Sequence, residues 1–393
     1  KETITVCEDI YGRDHKNYGF NISWLGLYYE KTNQNSKALP LYMQALENAE
    51  KTLGKRHVEY GTRLKNLAYL HHNMRQYDKA LTLYLEVLEN AEKVSGNQHS
   101  ENKIRLNNLA YLYHSMGHYD KALPLYIEAL EDTEKEMGKQ HEEYGLRLNN
   151  LALLYGIIGR YDSALKLSLE ALKNTENTLG KQHPRYDTYL NNLALSYERL
   201  GQYDMALPIF LEVLENTEKK LGKQHPDYGI YLNNLARLYK NMGKYEKALP
   251  LFLEALKNAE KVLGKKHPIY SSYLNGLANF YTEMGQYDKA LPLYLETLEN
   301  TDKTLGKLHD EYGTYLNNLA SLYLDLKQHD KALPLYLEAL ENAGKTLGKQ
   351  HVTYGSYLHG LANLYSVMGQ SDKALPLYLE ALETTEKTLG KHH

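Results

Sequence analysis

The chain has 393 residues, with 46 Lys and Arg against 49 Asp and Glu, a net charge of −3 at pH 7, and a single cysteine. That balance lacks the basic excess that binding to a phosphate backbone requires, which argues against nucleic acid as a partner. Cys7 cannot close an internal disulfide, and neither a signal peptide nor an apolar run of membrane-spanning length is present, so the expected setting is a reducing cytoplasm without membrane contact.

Residues 1–14 read as a partial repeat, the end of one helix and its turn. Lys1 aligns to the middle of a repeat, and the expectation is a fragment of a longer protein. Residues 15–392 then carry nine copies of a 42-residue unit in one continuous array, with no Pro/Gly/Ser-rich linker between them, and residue 393 begins another copy or belongs to a tag. A Gly recurs at 12, 54, 96, 138, 180, 222, 264, 306, 348 and 390, and a His follows each by three residues. At this length two or three separate cores would be usual, and repetition stands in their place.

The unit His225–Lys266 shows the plan. Leu232, Leu235, Ala236, Tyr239 and Met242 fall at helical spacing on one face, with Asn233, Asn234, Arg237 and Asn241 largely opposite. This segment, helix A, is expected to stop near Gly243, which can take a left-handed C-cap conformation. Helix B buries Ala248, Leu249, Phe252, Leu253, Ala255 and Leu256 and ends at the Leu263–Gly264 turn. If Glu246 caps it, as Asp204 and Asp288 would cap their helices, Pro250 lies one turn in and predicts a kink, not a break. Each helix should be about 16 residues and roughly 24 Å long. Such a hairpin cannot bury both faces alone, so stacked copies predict an all-α fold, a right-handed superhelical solenoid of helix-turn-helix repeats. At the end of the array the helix B from Asp372 to Leu389 repeats the internal apolar pattern with Leu375, Leu379 and Leu382, and no polar capping helix follows.

The order Leu232, Leu235, Ala236, Tyr239, Ala248, Phe252, Ala255 resembles the tetratricopeptide repeat. The 42-residue period and the strings NNLALLY (149–155), GQYDKALPLYLE (285–296) and NTEKKLGKQHPDY (216–228) look like the longer repeats of kinesin light chains and their bacterial relatives. The resemblance covers essentially the whole chain. It implies a concave groove lined by helix A that binds short peptides, with asparagines clamping the peptide backbone. The matching positions are Asn107, Asn149, Asn191, Asn233, Asn275 and Asn317, while Lys65, His359 and the first helix A around Trp24 depart from the pattern.

The residues themselves support that column. Asparagine offers both a donor and an acceptor, so a row of them can pair with any extended backbone regardless of sequence. A second column, Asn108, Asn150, Asn192, Asn234 and Asn318, reads as structural, bridging adjacent helices. Specificity is assigned to positions that do not repeat. Four residues after the first column come Tyr69, Tyr111, Leu153 and Leu195, joined by Ile104, Leu146 and Ile157 in an apolar first half. Arg237, Asn279, Ser321 and Asn363 follow, with Arg199, Lys240, Glu283 and Asp325 in a polar second half.

Ten periodic histidines invite a metal reading, but equivalent residues of neighbouring repeats should stand about 10 Å apart while zinc ligands lie within about 2.1 Å of the ion. They are read as turn residues, with no metal and no cofactor. An active site needs a unique cluster, whereas nearly every His, Asp, Glu and Tyr here is repeated in place, so the chain is read as not an enzyme. The row of lysines after the turn glycine reads as a solvated edge beside helix C-termini. The function expected is a scaffold for a protein or an extended peptide, the recognition arm of a larger protein; the alternative is a structural solenoid that self-associates head to tail.

Overall fold

A computed structural model describes residues 2–32, 34–95 and 100–389, with side chains except at 2–4, 7, 91–95, 100–105 and 389. Gly96, His99, Gly390 and His393 therefore lie outside the described residues, as do the side chains of Cys7 and Ile104. Among the described residues every regular element is α-helical.

The elements fall into two compact units, residues 1–138 and 139–393, each taken by itself. The first holds α1 (Glu2–Tyr11), α2 (Lys16–Lys31), α3 (Asn35–Leu53), α4 (Val58–Asn73), α5 (Tyr77–Ser95), α6 (Ser100–Ser115) and α7 (Tyr119–Met137). The second holds α8 (Glu142–Ile157), α9 (Tyr161–Thr178), α10 (Pro184–Arg199), α11 (Tyr203–Leu221), α12 (Pro226–Asn241) and α13 (Tyr245–Val262). It continues through α14 (Pro268–Glu283), α15 (Tyr287–Thr304), α16 (Asp310–Asp325), α17 (His329–Thr346), α18 (Val352–Val367) and α19 (Ser371–Leu389). From α2 onward even-numbered helices are helix A, of 16 residues, and odd-numbered ones helix B, of 18 or 19, slightly longer than expected.

Within each unit a helix pair packs on the next through small residues at the crossings. Ala236 and Ala248, both fully buried, meet Phe252 together with Leu277 and Phe280 of the following helix A. Ala38, Tyr42, Leu67 and Leu70 do the same in the first unit. Truncating a leucine such as Leu238, which has no exposure, should cost about 2–5 kcal/mol through lost burial and the cavity left behind.

The turns follow the glycines. After α12, Gly243 takes φ 70° and Lys244 N–H reaches back to Tyr239 O at 2.8 Å, closing the helix with a left-handed residue. Arg75 and Lys327 occupy the same place with φ 57° and 58°, where an L side chain is strained. Between helix B and the next helix A, the periodic histidine is the N-cap of helix A. His225 Nδ1 accepts from Asp227 N–H at 3.2 Å, and His15, His57, His141, His183, His267, His309 and His351 repeat the bond at 3.1–3.3 Å.

The expected helix B caps are corrected. The N-caps are Gln202, Lys244, Gln286 and Gln328, none with a side-chain cap bond, and Asp204, Glu246 and Asp288 sit in the first turn. There they favour the helix dipole without capping the chain end. Pro250 and its counterparts are accommodated inside unbroken helices, because a proline this near the start forfeits a single ladder bond.

Candidate functional site

Within each unit adjacent helices A touch by a simple rule: residue i meets residue i+43. Along the asparagine columns, Asn192 Nδ2 donates to Asn149 Oδ1 at 2.9 Å, Asn234 to Asn191 at 3.0 Å and Asn318 to Asn275 at 3.0 Å. The two columns are thus one ladder, with the second column donating and the first accepting. Asn107, Asn149 and Asn191 are buried and Asn233, Asn275 and Asn317 half-buried.

The ladder breaks where the second column holds glycine. Gly276 stands opposite Asn233 and Gly360 opposite Asn317, and the Oδ1 of both asparagines is buried with no hydrogen-bond partner. At Gly276 an added Cβ would make ordinary contacts, 3.6 Å from Asn233 Oδ1, whereas at Gly360 the ring of Tyr336 fills the space, 2.7 Å from such an atom. A similar rule governs a tyrosine column. Tyr357 donates its hydroxyl to Thr314 at 2.9 Å. Tyr189 and Tyr273 find Leu146 and Ile230 at that offset, and their hydroxyls are buried without a partner.

The non-repeating positions separate by unit. In the first, Tyr69 and Tyr111 are 41% and 46% exposed. His72 is buried between them, its ring 6.3 Å from Tyr69 and 4.9 Å from Tyr111. Its Nε2 pairs with Ser115 Oγ at 2.8 Å, while Ser115 gives its own proton to Tyr111 O. His72 therefore carries its proton on Nε2, and burial lowers its pKa to about 4, as it does for His114. His72, His114 and their ring contacts were not singled out in the sequence; the pairing of His72 with Ser115 43 residues on is the signal that would have found them.

In the second unit Leu153 and Leu195 are half-buried, and Leu195 packs against the Ala194, Phe210, Leu238 cluster. Arg237 is half-buried too, and its Nε and Nη2 lie 3.2 and 3.0 Å from the two oxygens of buried Glu198. Asn241 also donates to Glu198, at 2.8 Å. The turn lysines lie over tyrosine rings, Lys223 5.8 Å from Tyr228 and Lys265 5.7 Å from Tyr270, next to helix B glutamates. Among the described residues no three His, Cys, Asp or Glu side chains converge on a metal-sized site, and no helix is long and apolar enough to cross a membrane.

A family model described as "Tetratricopeptide repeat" matches in eight overlapping spans, residues 19–93, 60–135, 102–177, 146–219, 185–261, 230–303, 269–345 and 311–387. No curated protein sequence matches. Among solved structures, a Rap protein complexed with Competence and Sporulation Factor is 14% identical, with TM-score 0.61 over 95% of this chain and 99% of that one. A signal transduction ATPase with numerous domains and a tetratricopeptide repeat sensor, from Pyrococcus horikoshii, is 19% identical, with TM-score 0.52 over 94% of this chain and 52% of that one. A kinesin light chain with nearly identical repeats from Podosopora anserina is 27% identical, with TM-score 0.44 over 52% of this chain and 98% of that one.

Proposed function

Given that the chain belongs to the tetratricopeptide repeat family, we propose that it is a non-catalytic scaffold that holds an extended polypeptide against its helix A surfaces. The observation that carries this is the pair Tyr69 and Tyr111, exposed aromatic surface held in place by the buried ring of His72 between them. In this reading Asn107 supplies backbone hydrogen bonds in the first unit. Asn149, Asn191, Asn233, Asn275 and Asn317 supply them in the second, with Leu153, Leu195 and Arg237 selecting side chains. Because three of those asparagines already give an oxygen to a neighbour, the tyrosines dominate. The Rap structure, as a complex with its factor, lends the reading support at the level of fold.

The test uses peptides selected from a random display library against the whole chain. A large side chain docked on the tyrosines contributes about 1.5–3 kcal/mol, so Tyr111→Ala should weaken binding tenfold or more. Asn317→Ala should change it about fivefold or less, since a neutral hydrogen bond nets about 1 kcal/mol. Equal losses, or the larger loss at Asn317, would sink the proposal.

Head-to-tail self-association is the second reading. Leu375, Leu379 and Leu382 on α19 are 60%, 58% and 57% exposed. Leu379 shares its exposure with Leu253, Leu295 and Leu337, so the reading rests on Leu375 and Leu382, whose counterparts Leu333 and Leu340 are half-buried in the core. If light scattering shows concentration-dependent growth that Leu375→Glu with Leu382→Glu fails to remove, these residues are not its cause.

A further inference from the structure

The last two positions of helix A form a second ladder by the same offset. In the first unit His72 meets Ser115; in the second, Glu198 meets Asn241 at 2.8 Å and Lys240 meets Glu283 at 2.7 Å. Each pair joins a side chain to a partner of matching chemistry on the next helix A.

Between α8 and α10 the pair is Gly156 and Arg199, and one side chain is missing. The guanidinium of Arg199 lies across the buried Gly156, where a Cβ would collide with its Nη1. Arg199 is exposed and makes no hydrogen bond or ion pair among the described residues. The carboxylate next to it in sequence is already committed: Glu198 receives both Arg237 and Asn241. Desolvation by the neighbouring helices pushes the Arg199 guanidinium pKa down although the residue is exposed, Tyr161 raises it, Arg237 pushes it down, and the nearby Glu198 charge raises it. The region thus holds two guanidiniums and one carboxylate, with Arg237 paired to Glu198 and the charge of Arg199 left in excess.

We propose that Arg199, supported by Arg237 over the bare backbone of Gly156, is an oxyanion site that takes a phosphoryl group. A guanidinium forks onto two oxygens of one anion, and a phosphoryl group keeps a third oxygen for a neighbouring donor and a second charge for Arg237. A carboxylate offers neither. The site lies within the second unit and does not depend on the tyrosine surface that anchors the polypeptide.

The experiment titrates inorganic phosphate, O-phosphoserine and acetate into the whole chain at low ionic strength, by calorimetry and by 31P line broadening. Phosphate and phosphoserine should saturate one site, and acetate should bind at least tenfold more weakly. A tighter phosphoserine than phosphate identifies a phosphorylated side chain as the source, and equal affinities identify the free ion. Arg199→Gln should weaken binding at least tenfold, and Arg199→Lys, which keeps the charge without the fork, should fall between. Gly156→Glu should abolish binding by supplying the missing partner from within, with helicity by circular dichroism unchanged; Arg199 Nη1 is the far end of a flexible side chain and can give way. No saturable binding, equal affinity in Arg199→Gln, or acetate as tight as phosphate would overturn the assignment.

Discussion

Replacing Tyr273 by Phe should stabilise the protein, while the same change at Tyr357 should destabilise it. Both rings are buried, 6% and 3% exposed, in the same column of helix A. Tyr357 donates to Thr314 at 2.9 Å, but at the equivalent place Tyr273 meets Ile230, and its hydroxyl is buried without a partner. A buried hydroxyl without a bond costs about 1–3 kcal/mol, and the void left by one oxygen costs roughly 0.4 kcal/mol, so Tyr273→Phe should gain about 1 kcal/mol. Tyr357→Phe loses a net hydrogen bond of about 1 kcal/mol and leaves the same void, for a loss of about 1–1.5 kcal/mol. Because a repeat array need not unfold in one step, the readout is native-state hydrogen exchange of the α14 and α18 amides. Ile230→Thr should restore a partner, so that Tyr273→Phe in that background is no longer stabilising. A loss of stability in Tyr273→Phe matching that of Tyr357→Phe would refute the reasoning.

Acid should weaken the first unit. The folded pKa values of His72 and His114 lie near 4, below the unfolded 6.5, so their stabilising effect is complete above about pH 6.5 and is lost as pH falls toward 4. Exchange of the α4 and α6 amides should accelerate over that window, and His114→Phe should flatten the dependence. Lys327→Gly should raise stability by about 0.5–1 kcal/mol in denaturant melts, since it relieves a left-handed side chain at a cost in unfolded-chain entropy smaller than the strain. Gly276→Asn should complete the asparagine ladder and stabilise by about 1 kcal/mol. Gly360→Asn should destabilise, because the Tyr336 ring occupies the space; a gain in the second melt would contradict the ladder geometry.

The helices and their register were legible because each apolar column recurs at one spacing, so noise at any single position averages out. Helix caps were less so. Aspartate is a common N-cap and histidine is not, and the reading assigned the cap role to Asp204 and Asp288 when helix B starts one residue before them. The histidine works because a neutral Nδ1 accepts a backbone N–H as a carboxylate would. The asparagine columns were seen as two rows with separate duties, whereas the fold joins them. Nothing within a single repeat shows which residues face each other across repeats. Once the 43-residue offset is known, the pairing of Thr314 with Tyr357, and the glycines at 156, 276 and 360, can be read directly as made and missing contacts.

The same offset sets how the chain can change length. Gaining or losing 42 residues inside either unit returns every helix A residue to a neighbour from the same column, wherever in the repeat the splice falls. One extra residue inside a helix A instead turns every residue beyond it by about 100° of helical rotation and carries the buried columns away from their partners. Repeat number is therefore structurally neutral and phase within a repeat is not. A gene of this kind can lengthen or shorten by unequal recombination between its own near-identical segments and still encode a chain that folds.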